Sequence, residues 1–321
     1  VPARSVSIIG AGRLGTALGL ALKTAGFKIE LVATKRPAAA RRAAKAFGPR
    51  TLALSAVQLS RLTPNQYDRL NRSSLVIIAT PDDVVARVAQ LLAAILESKP
   101  EGLPPRKSTP VTHRIVLHTS GALPSDVLSP MRGAGFAIGS LHPLVAISES
   151  RSGAELLRQA FFSVEGDPAA VRLGRSLVKD LGGESFRIES QHKALYHAAA
   201  LTASPHMTAL FDIAIEMLSV CGLSSAQARR ILLPLVQSTV ANLATQDPAQ
   251  ALTGTFKRGD VATVRKHLDA LDAANLTQAL TAYIVLGERS ISLLERSPGS
   301  PAGLEKIKGV LARAARRSGR R

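Results

Sequence analysis

At 321 residues, 46% hydrophobic and 20% charged, the chain is long enough for two globular domains, each with its own core. With 3% aromatic residues and no Trp, that interior must be packed from Ala, Leu and Val. A formal charge of +18 raises nucleic acid as a partner, but Arg is spread along the whole chain and the basic tail (Lys308, Arg313, Arg316, Arg317, Arg320, Arg321) has no interleaved aromatics for base stacking, so no specific nucleic-acid partner is expected. No apolar run is expected to reach the ~18 residues that cross a bilayer, and none of the sequence before the first strand reads as a signal peptide. The single cysteine, Cys221, cannot form an internal disulfide and reads as buried filler at a helix end. No metal-ligand pattern stands out, and a reducing cytoplasmic setting is the expectation.

The first element is an apolar strand ending at Ile9, followed by Gly10-Ala11-Gly12-Arg13-Leu14-Gly15 and a helical pattern. A lone Gly-x-Gly-x-x-Gly is weak; between a strand and a helix it points to a dinucleotide. Gly10 serves the tight turn, Gly12 the close approach of backbone to a pyrophosphate, and Gly15 helix-on-strand packing, with Arg13 and Leu14 on the same turn. The helix amino end then offers free N–H groups and a positive dipole to the phosphates. The second strand, Lys28–Ala33, leads into Thr34-Lys35-Arg36, where an NAD site places a carboxylate about twenty residues beyond the glycines. No acid stands at 32–36, while Thr34, Lys35 and Arg36 can meet a 2′-phosphate, so NADP(H) is the expected cofactor. The plain alternative for Lys35 and Arg36 is a pair of solvated loop cations.

Alternation of strand and helix continues. Leu75–Ala79 reads as a buried strand ending in Thr80-Pro81, with Asp82 or Asp83 as cap of the helix 84–96. A basic, proline-rich loop is expected at 98–113, then strands 115–117 and 136–139, and a further β-α-β pattern over 161–188. After Gln191 only helical patterns remain, at about 191–220, 225–244, 260–271 and 275–295, with a basic helix beyond Pro301 and Asp260 as the cap of its helix. The predicted fold is α/β: a doubly wound Rossmann sheet over 1–189, followed by an all-helical domain over 190–321.

In open α/β sheets ligands bind beyond the carboxyl ends of the strands. Thr80 and Pro81 would line the path from phosphates to nicotinamide ring. Ser120 and Gly121 could hold a ring amide or a substrate carboxylate, and His118 and His142 are candidate acid–bases, or else histidines that merely satisfy loop carbonyls. On the helix after Glu189, Lys193, His197, Ala200 and Ser204 form one stripe at i, i+4, i+7 and i+11, flanked by apolar faces that look buried. Desolvation and the nearby imidazole would bring the lysine toward neutrality, suiting it as general acid for a carbonyl or imine; a partly exposed helix edge is the bland alternative. Pro205 is expected to kink that helix beside the stripe. Lys257 or Arg258 could reach an anionic substrate group.

Taken together, the Gly10–Gly15 loop, His118-Thr119-Ser120-Gly121-Ala122-Leu123, Gly139-Ser140-Leu141-His142-Pro143-Leu144, Lys193–Ala200, Leu252-Thr253-Gly254 and Arg258-Gly259-Asp260 resemble the Rossmann-like family that carries a C-terminal domain of unknown function 2520. Where that family's helix runs Ala-Ser-Asn, this chain has Ala203-Ser204-Pro205. The family is similar to wider NADP reductases, including 6-phosphogluconate dehydrogenase, pyrroline-5-carboxylate reductase, ketopantoate reductase and β-hydroxyacid dehydrogenases. In the last group a Ser-Gly and a Lys-x-x-x-Asn flank the substrate, a layout matched by Ser120-Gly121 and Lys193-x-x-x-His197 with His for Asn. His142-Pro143 is similar to the His-Pro-Met of prephenate dehydrogenases. The resemblance implies a reductase or dehydrogenase, usually a homodimer through its helical domain, and supplies no substrate. With the residues above, the expected activity is NADP(H)-dependent hydride transfer to or from a small, anionic carbonyl, hydroxyl or imine compound. Lys193 would transfer the proton, with His197, Ser120, His142 and His118 around the substrate. A ketopantoate- or prephenate-type biosynthetic enzyme and a non-catalytic NADP(H) sensor or scaffold are the alternatives.

Overall fold

The computed structural model describes residues 4–98, 114–296 and 302–318. The chain divides into two compact units, Val1–Thr202 and Ala203–Arg321. The first unit thus runs beyond the break expected near Glu189 and takes in the helix that carries Lys193.

That unit is built on one eight-stranded sheet in the order β3-β2-β1-β4-β5-β6-β7-β8. The strands are β1 (Ser5–Ile9), β2 (Lys28–Thr34), β3 (Leu52–Ser55), β4 (Leu75–Ile78), β5 (Arg114–His118), β6 (Phe136–Leu144), β7 (Phe161–Gly166) and β8 (Glu184–Phe186). All pairs are parallel except β6 with β7. The reversal of order at β1 is a topological switch point, where an open α/β sheet opens a crevice for a ligand. β6 runs past the expected strand end at Gly139 through to Leu144, because residues 139–144 pair with β7. Helices α1 (Arg13–Thr24), α2 (Pro37–Phe47), α3 (Pro64–Arg72), α4 (Asp82–Glu97), α5 (Ser150–Leu156) and α6 (Pro168–Asp180) cover the sheet. Leu18, Leu22, Phe47 and Leu177 fill one core, with Ile8, Ile77 and Leu117 from the strands. Tyr67, Leu70, Val85 and Leu92 fill the other, with Ile9, Val76 and Val116. Near-continuous apolar strands such as Leu75–Ile78 suit a sheet buried on both faces. The loop expected at 98–113 lies, from 99 on, outside the described residues.

Helix α7 (Lys193–Ala203) ends this unit, and α8 (Pro205–Val220) begins the next. Ser204 leaves the helical region (φ −128°, ψ −72°), so the helix breaks where only a kink was expected, at a proline that cannot donate to the preceding turn. The helical unit continues with α9 (Ser225–Leu243), α10 (Val261–Ala273), α11 (Thr277–Glu295) and α12 (Leu304–Ser318). Its core is Val264 and Leu268 of α10, Ile284 and Ile291 of α11, and Ile307 and Leu311 of α12. Asp260 caps α10 as expected, accepting from the Thr263 amide at 3.0 Å.

Other expectations are corrected. Asp82 and Asp83 form the first turn of α4 and make no cap; Pro81 occupies the cap position. Cys221, at the end of α8, is exposed and not buried. The stretch Ser190–Val220 is, by length and composition, apolar enough to cross a membrane (mean hydropathy 1.2), because isolated polar residues barely lower the average of an Ala- and Leu-rich sequence. Nor are the flanks of the lysine stripe buried: Ala194, Ala198 and Ala199 are exposed, Leu195 is 73% exposed, and Lys193 itself is buried.

Candidate active site

One register row runs Ile78–His118–Ser140–Glu165 across β4, β5, β6 and β7. Partners in a row share a face of the sheet, so His118, Ser140 and Glu165 stand side by side. All three are buried. Beyond β5 the chain turns sharply through Thr119-Ser120-Gly121, and side-chain hydrogen bonds hold that turn.

His118 is engaged at both ring nitrogens. The Ser120 amide donates to its Nδ1 at 3.1 Å, which leaves the ring proton on Nε2 to donate to the Pro124 carbonyl at 3.3 Å. Burial, then the charge of Lys193, holds its pKa down at about 3. A neutral imidazole with no free nitrogen is a lock for the loop, and the acid–base role expected of His118 is corrected accordingly. Ser120 departs from expectation in the same way. Its hydroxyl donates to Asp82 Oδ2 at 2.8 Å and accepts from the amides of Ala122 at 3.1 Å and Leu123 at 3.0 Å. The serine offers its carbonyl inward, because a turn this tight needs its own hydroxyl to satisfy the loop amides.

That carbonyl meets Lys193. The ammonium Nζ donates to the Ser120 carbonyl at 3.1 Å and to Ser140 Oγ at 2.7 Å. Lys193 is 0% exposed. Burial lowers its pKa to about 8, while the charges of Glu165 and Asp82 act in the opposite sense. An ammonium has three N–H donors, so one remains for a further acceptor. The partly exposed edge allowed by the helical pattern is therefore not found.

His142 lies on β6 with its Nδ1 2.8 Å from the Tyr196 hydroxyl. Its ring meets those of Tyr196 and His197 edge-on, at centroid separations of 5.6 and 5.5 Å. Burial, reinforced by Lys193 and His197, lowers the pKa of His142 to about 4. Both histidines close over Gly121, where any Cβ would collide with the His197 ring and with His142. The site therefore requires glycine at 121 for space. Among the described residues, His197 Nδ1 is buried with no hydrogen-bond partner, as is Thr80 Oγ1 at the end of β4. Asp82, of the Thr80-Pro81-Asp82 stretch at the end of β4, belongs to this cluster, as do Tyr196 and Glu165, which were not expected in it. Tyr196 sits between Lys193 and His197 in the sequence, and its aromatic ring among alanines was the available signal.

The glycine turn behaves as its spacing predicts. Gly10 has φ +100° and packs so closely on Ala79 that a side chain would clash, and Gly15 packs on Gly10. A Cβ on Gly12 would meet nothing, so its backbone faces open space. Arg13 is exposed and Leu14 half-buried beside it. A cavity of about 240 Å³ opens there, lined by Gly12, Thr16, Arg42 and Ser150 among others. Arg42 is a cation that its place in an Arg-rich helix disguised in the sequence. Lys35 and Arg36 are exposed, and Pro81 lies exposed beyond Thr80. Thr34 donates its hydroxyl to the Arg36 carbonyl at 2.7 Å, so it shapes the turn before it can serve a ligand. Among the described residues, no group of three His, Cys, Asp or Glu side chains is placed to share a metal ion.

This architecture defines a Rossmann-type α/β unit joined to a helical unit, with a buried lysine among loop carbonyls and hydroxyls at the sheet. Residues 1–143 match the Rossmann-like domain model and residues 160–290 match the domain of unknown function 2520, so the chain joins a Rossmann-like domain to that C-terminal domain. Among solved structures it is similar to a Bacteroides fragilis protein provisionally named an NADP oxidoreductase, at 22% identity and TM-score 0.67, covering 89% of this chain and 97% of that one. A Thermotoga maritima protein aligns at 20% identity and TM-score 0.65, over 90% and 98% of the two chains. An imine reductase from Myxococcus stipitatus, in complex with NADP+, aligns at 16% identity and TM-score 0.58, over 94% and 99%. No curated protein matches the sequence significantly.

Proposed function

We propose that the chain is an NADP(H)-dependent oxidoreductase acting on a small carbonyl, hydroxyl or imine compound, with Lys193 as the proton donor in reduction and acceptor in oxidation. The observation that carries this reading is the buried Lys193 ammonium, held by Ser120 O and Ser140 Oγ with its pKa near working pH at about 8. A general acid is most useful when its pKa lies near the operating pH. The nucleotide would supply the hydride to a carbonyl or imine, or accept it from a hydroxyl compound; the chain's part is to bind it, orient the substrate and give or take the proton. Gly10, Gly12 and Gly15 with Arg13 and Leu14 fit the pyrophosphate, since Gly12 leaves its backbone open. Lys35 and Arg36, which make no ion pair among the described residues, fit a 2′-phosphate, with Thr34 closing the turn. Thr80 Oγ1 and His197 Nδ1, buried and unpartnered, suit the ring amide and the substrate. His142 orients the substrate beside them. An NADP+-bound imine reductase of the same fold is consistent with this assignment.

The helical unit supports a homodimer. Met207 of α8 and Ile231, Leu233, Leu235, Val240 and Leu243 of α9 are each at least 46% exposed, and an exposed apolar surface of this kind marks an interaction face. A second copy through α8 and α9 would cover it.

The test is calorimetry with NADPH and NADH, followed by loss of NADPH absorbance with a panel of oxo acids and imines. The expected result is tighter binding of NADPH, a preference reversed in Arg36→Glu, and turnover abolished in Lys193→Met with NADPH binding unchanged. Equal affinities for the two nucleotides end the NADP assignment, and full turnover in Lys193→Met ends the role of the lysine. Tight binding with no turnover on any compound favours a nucleotide sensor.

A further inference from the structure

The row that places Ser140 beneath the lysine also places Glu165, on β7, among its neighbours. Glu165 is 4% exposed, and its carboxylate accepts three hydrogen bonds. The Ser125 amide donates to Oε1 at 2.7 Å and the Ser125 hydroxyl to Oε2 at 2.8 Å. The Ser190 hydroxyl donates to Oε2 at 3.0 Å. Ser125 closes the loop that begins at Ser120, and Ser190 lies three residues before Lys193. One buried anion therefore ties the two segments that meet at the lysine ammonium. An ionised carboxylate buried this deeply persists only where hydrogen bonds and a countercharge replace water.

We infer that Glu165 is the positioning residue of this site: it clamps the 120–125 loop to the start of the Lys193 helix and provides the ammonium with its buried countercharge. The inference rests on the reading of Lys193 as the proton-transfer group for its purpose, and on the hydrogen bonds of Glu165 and its electrostatic effect on the ammonium for its existence. The ammonium interacts electrostatically with Asp82 of α4, His118 of β5, His142 of β6 and Glu165 of β7, and on its own helix Tyr196 and His197 lie against His142. Both imidazoles on the strands have lowered pKa values and so carry no charge at neutral pH. The counterions are Glu165 and Asp82, and only Glu165 is buried. A buried charge is less screened than an exposed one, so its removal has the larger effect.

The experiment follows the Cε resonances of the full-length chain labelled with 13C-lysine through a pH titration, the signal absent from Lys193→Met being assigned to Lys193. The wild-type signal is expected to titrate at about 8. In Glu165→Gln, which keeps the shape and removes the charge, the midpoint is expected to fall by about one unit. An unchanged midpoint in Glu165→Gln overturns the proposal, as does a wild-type lysine that titrates at its ordinary value. Should Glu165→Gln fail to fold, Glu165→Asp keeps the charge but is too short to hold Ser125 and Ser190 together. Its midpoint is then expected to shift in the same direction by less, and no shift overturns the proposal. The titration needs neither nucleotide nor substrate, so failure of the oxidoreductase reading would appear separately, as absence of heat on adding NADPH.

Discussion

Two histidines of this site are held neutral by opposite kinds of neighbour. His118 is closed in by its own loop, and His142 by the rings of Tyr196 and His197. The sign of the resulting pH dependence follows from their pKa values, about 3 and about 4 when folded against 6.5 in the open chain. Between pH 6.5 and 4 the unfolded chain takes up protons that the folded one refuses, so stability falls as the solution is acidified. Each histidine contributes about 1.4 kcal/mol per pH unit across that window. Urea unfolding at a series of pH values should therefore show a shallower acid slope in His118→Asn than in the wild type; parallel slopes would show that His118 titrates normally. The sequence pointed to these residues by their place at strand ends, and to Lys193 by its helical stripe. It could not assign their tasks. Ser120 and His118 read as chemistry because they are polar residues at the right edge, yet loop amides claim both of them.

Elements were legible wherever a period or a cap marks them. The turn from β1 into α1, the β-α-β pattern from β7 to β8, and the helices α9 to α11 lie close to the ranges read from periodicity. Misreadings fall where pairing partners decide the outcome. β6 is longer than its apolar run because an antiparallel neighbour continues its ladder over polar residues. Asp260 shows a local signal succeeding, since its carboxylate accepts from both the amide and the hydroxyl of Thr263. Those hydrogen bonds, the side-chain one first, lower its pKa below 3.8. Its contribution is therefore present above the ordinary carboxylate value and is lost as pH falls through the lower, folded one. Asp260→Ala should lower the thermal midpoint at pH 7, with the gap from wild type closing in strong acid. A gap that stays constant across the acid range would mean that the cap is not the source of the difference.

At the scale of the molecule, the apolar character of α8 and α9 separates composition from arrangement. Among α8 and α9 only Ala228 is buried. A surface of this kind predicts self-association: light scattering should give a dimer for the wild type, and Leu235→Glu with Ile231→Glu should yield a monomer that keeps nucleotide binding. A wild-type monomer at micromolar concentration would remove that reading. The glycine spacing, the missing acid after β2, and the switch from alternating to purely helical pattern are local properties, and local sterics and charge make them readable in one dimension. Which strand lies beside which is a different matter. The row that aligns His118, Ser140 and Glu165 joins residues far apart in the chain, and the burial of Lys193 follows from that alignment. A lysine on an alanine-rich helix has the same sequence whether it faces water or a carboxylate. Only the packing of the helix against the sheet decides which solvent its ammonium has, and with it where its proton is held.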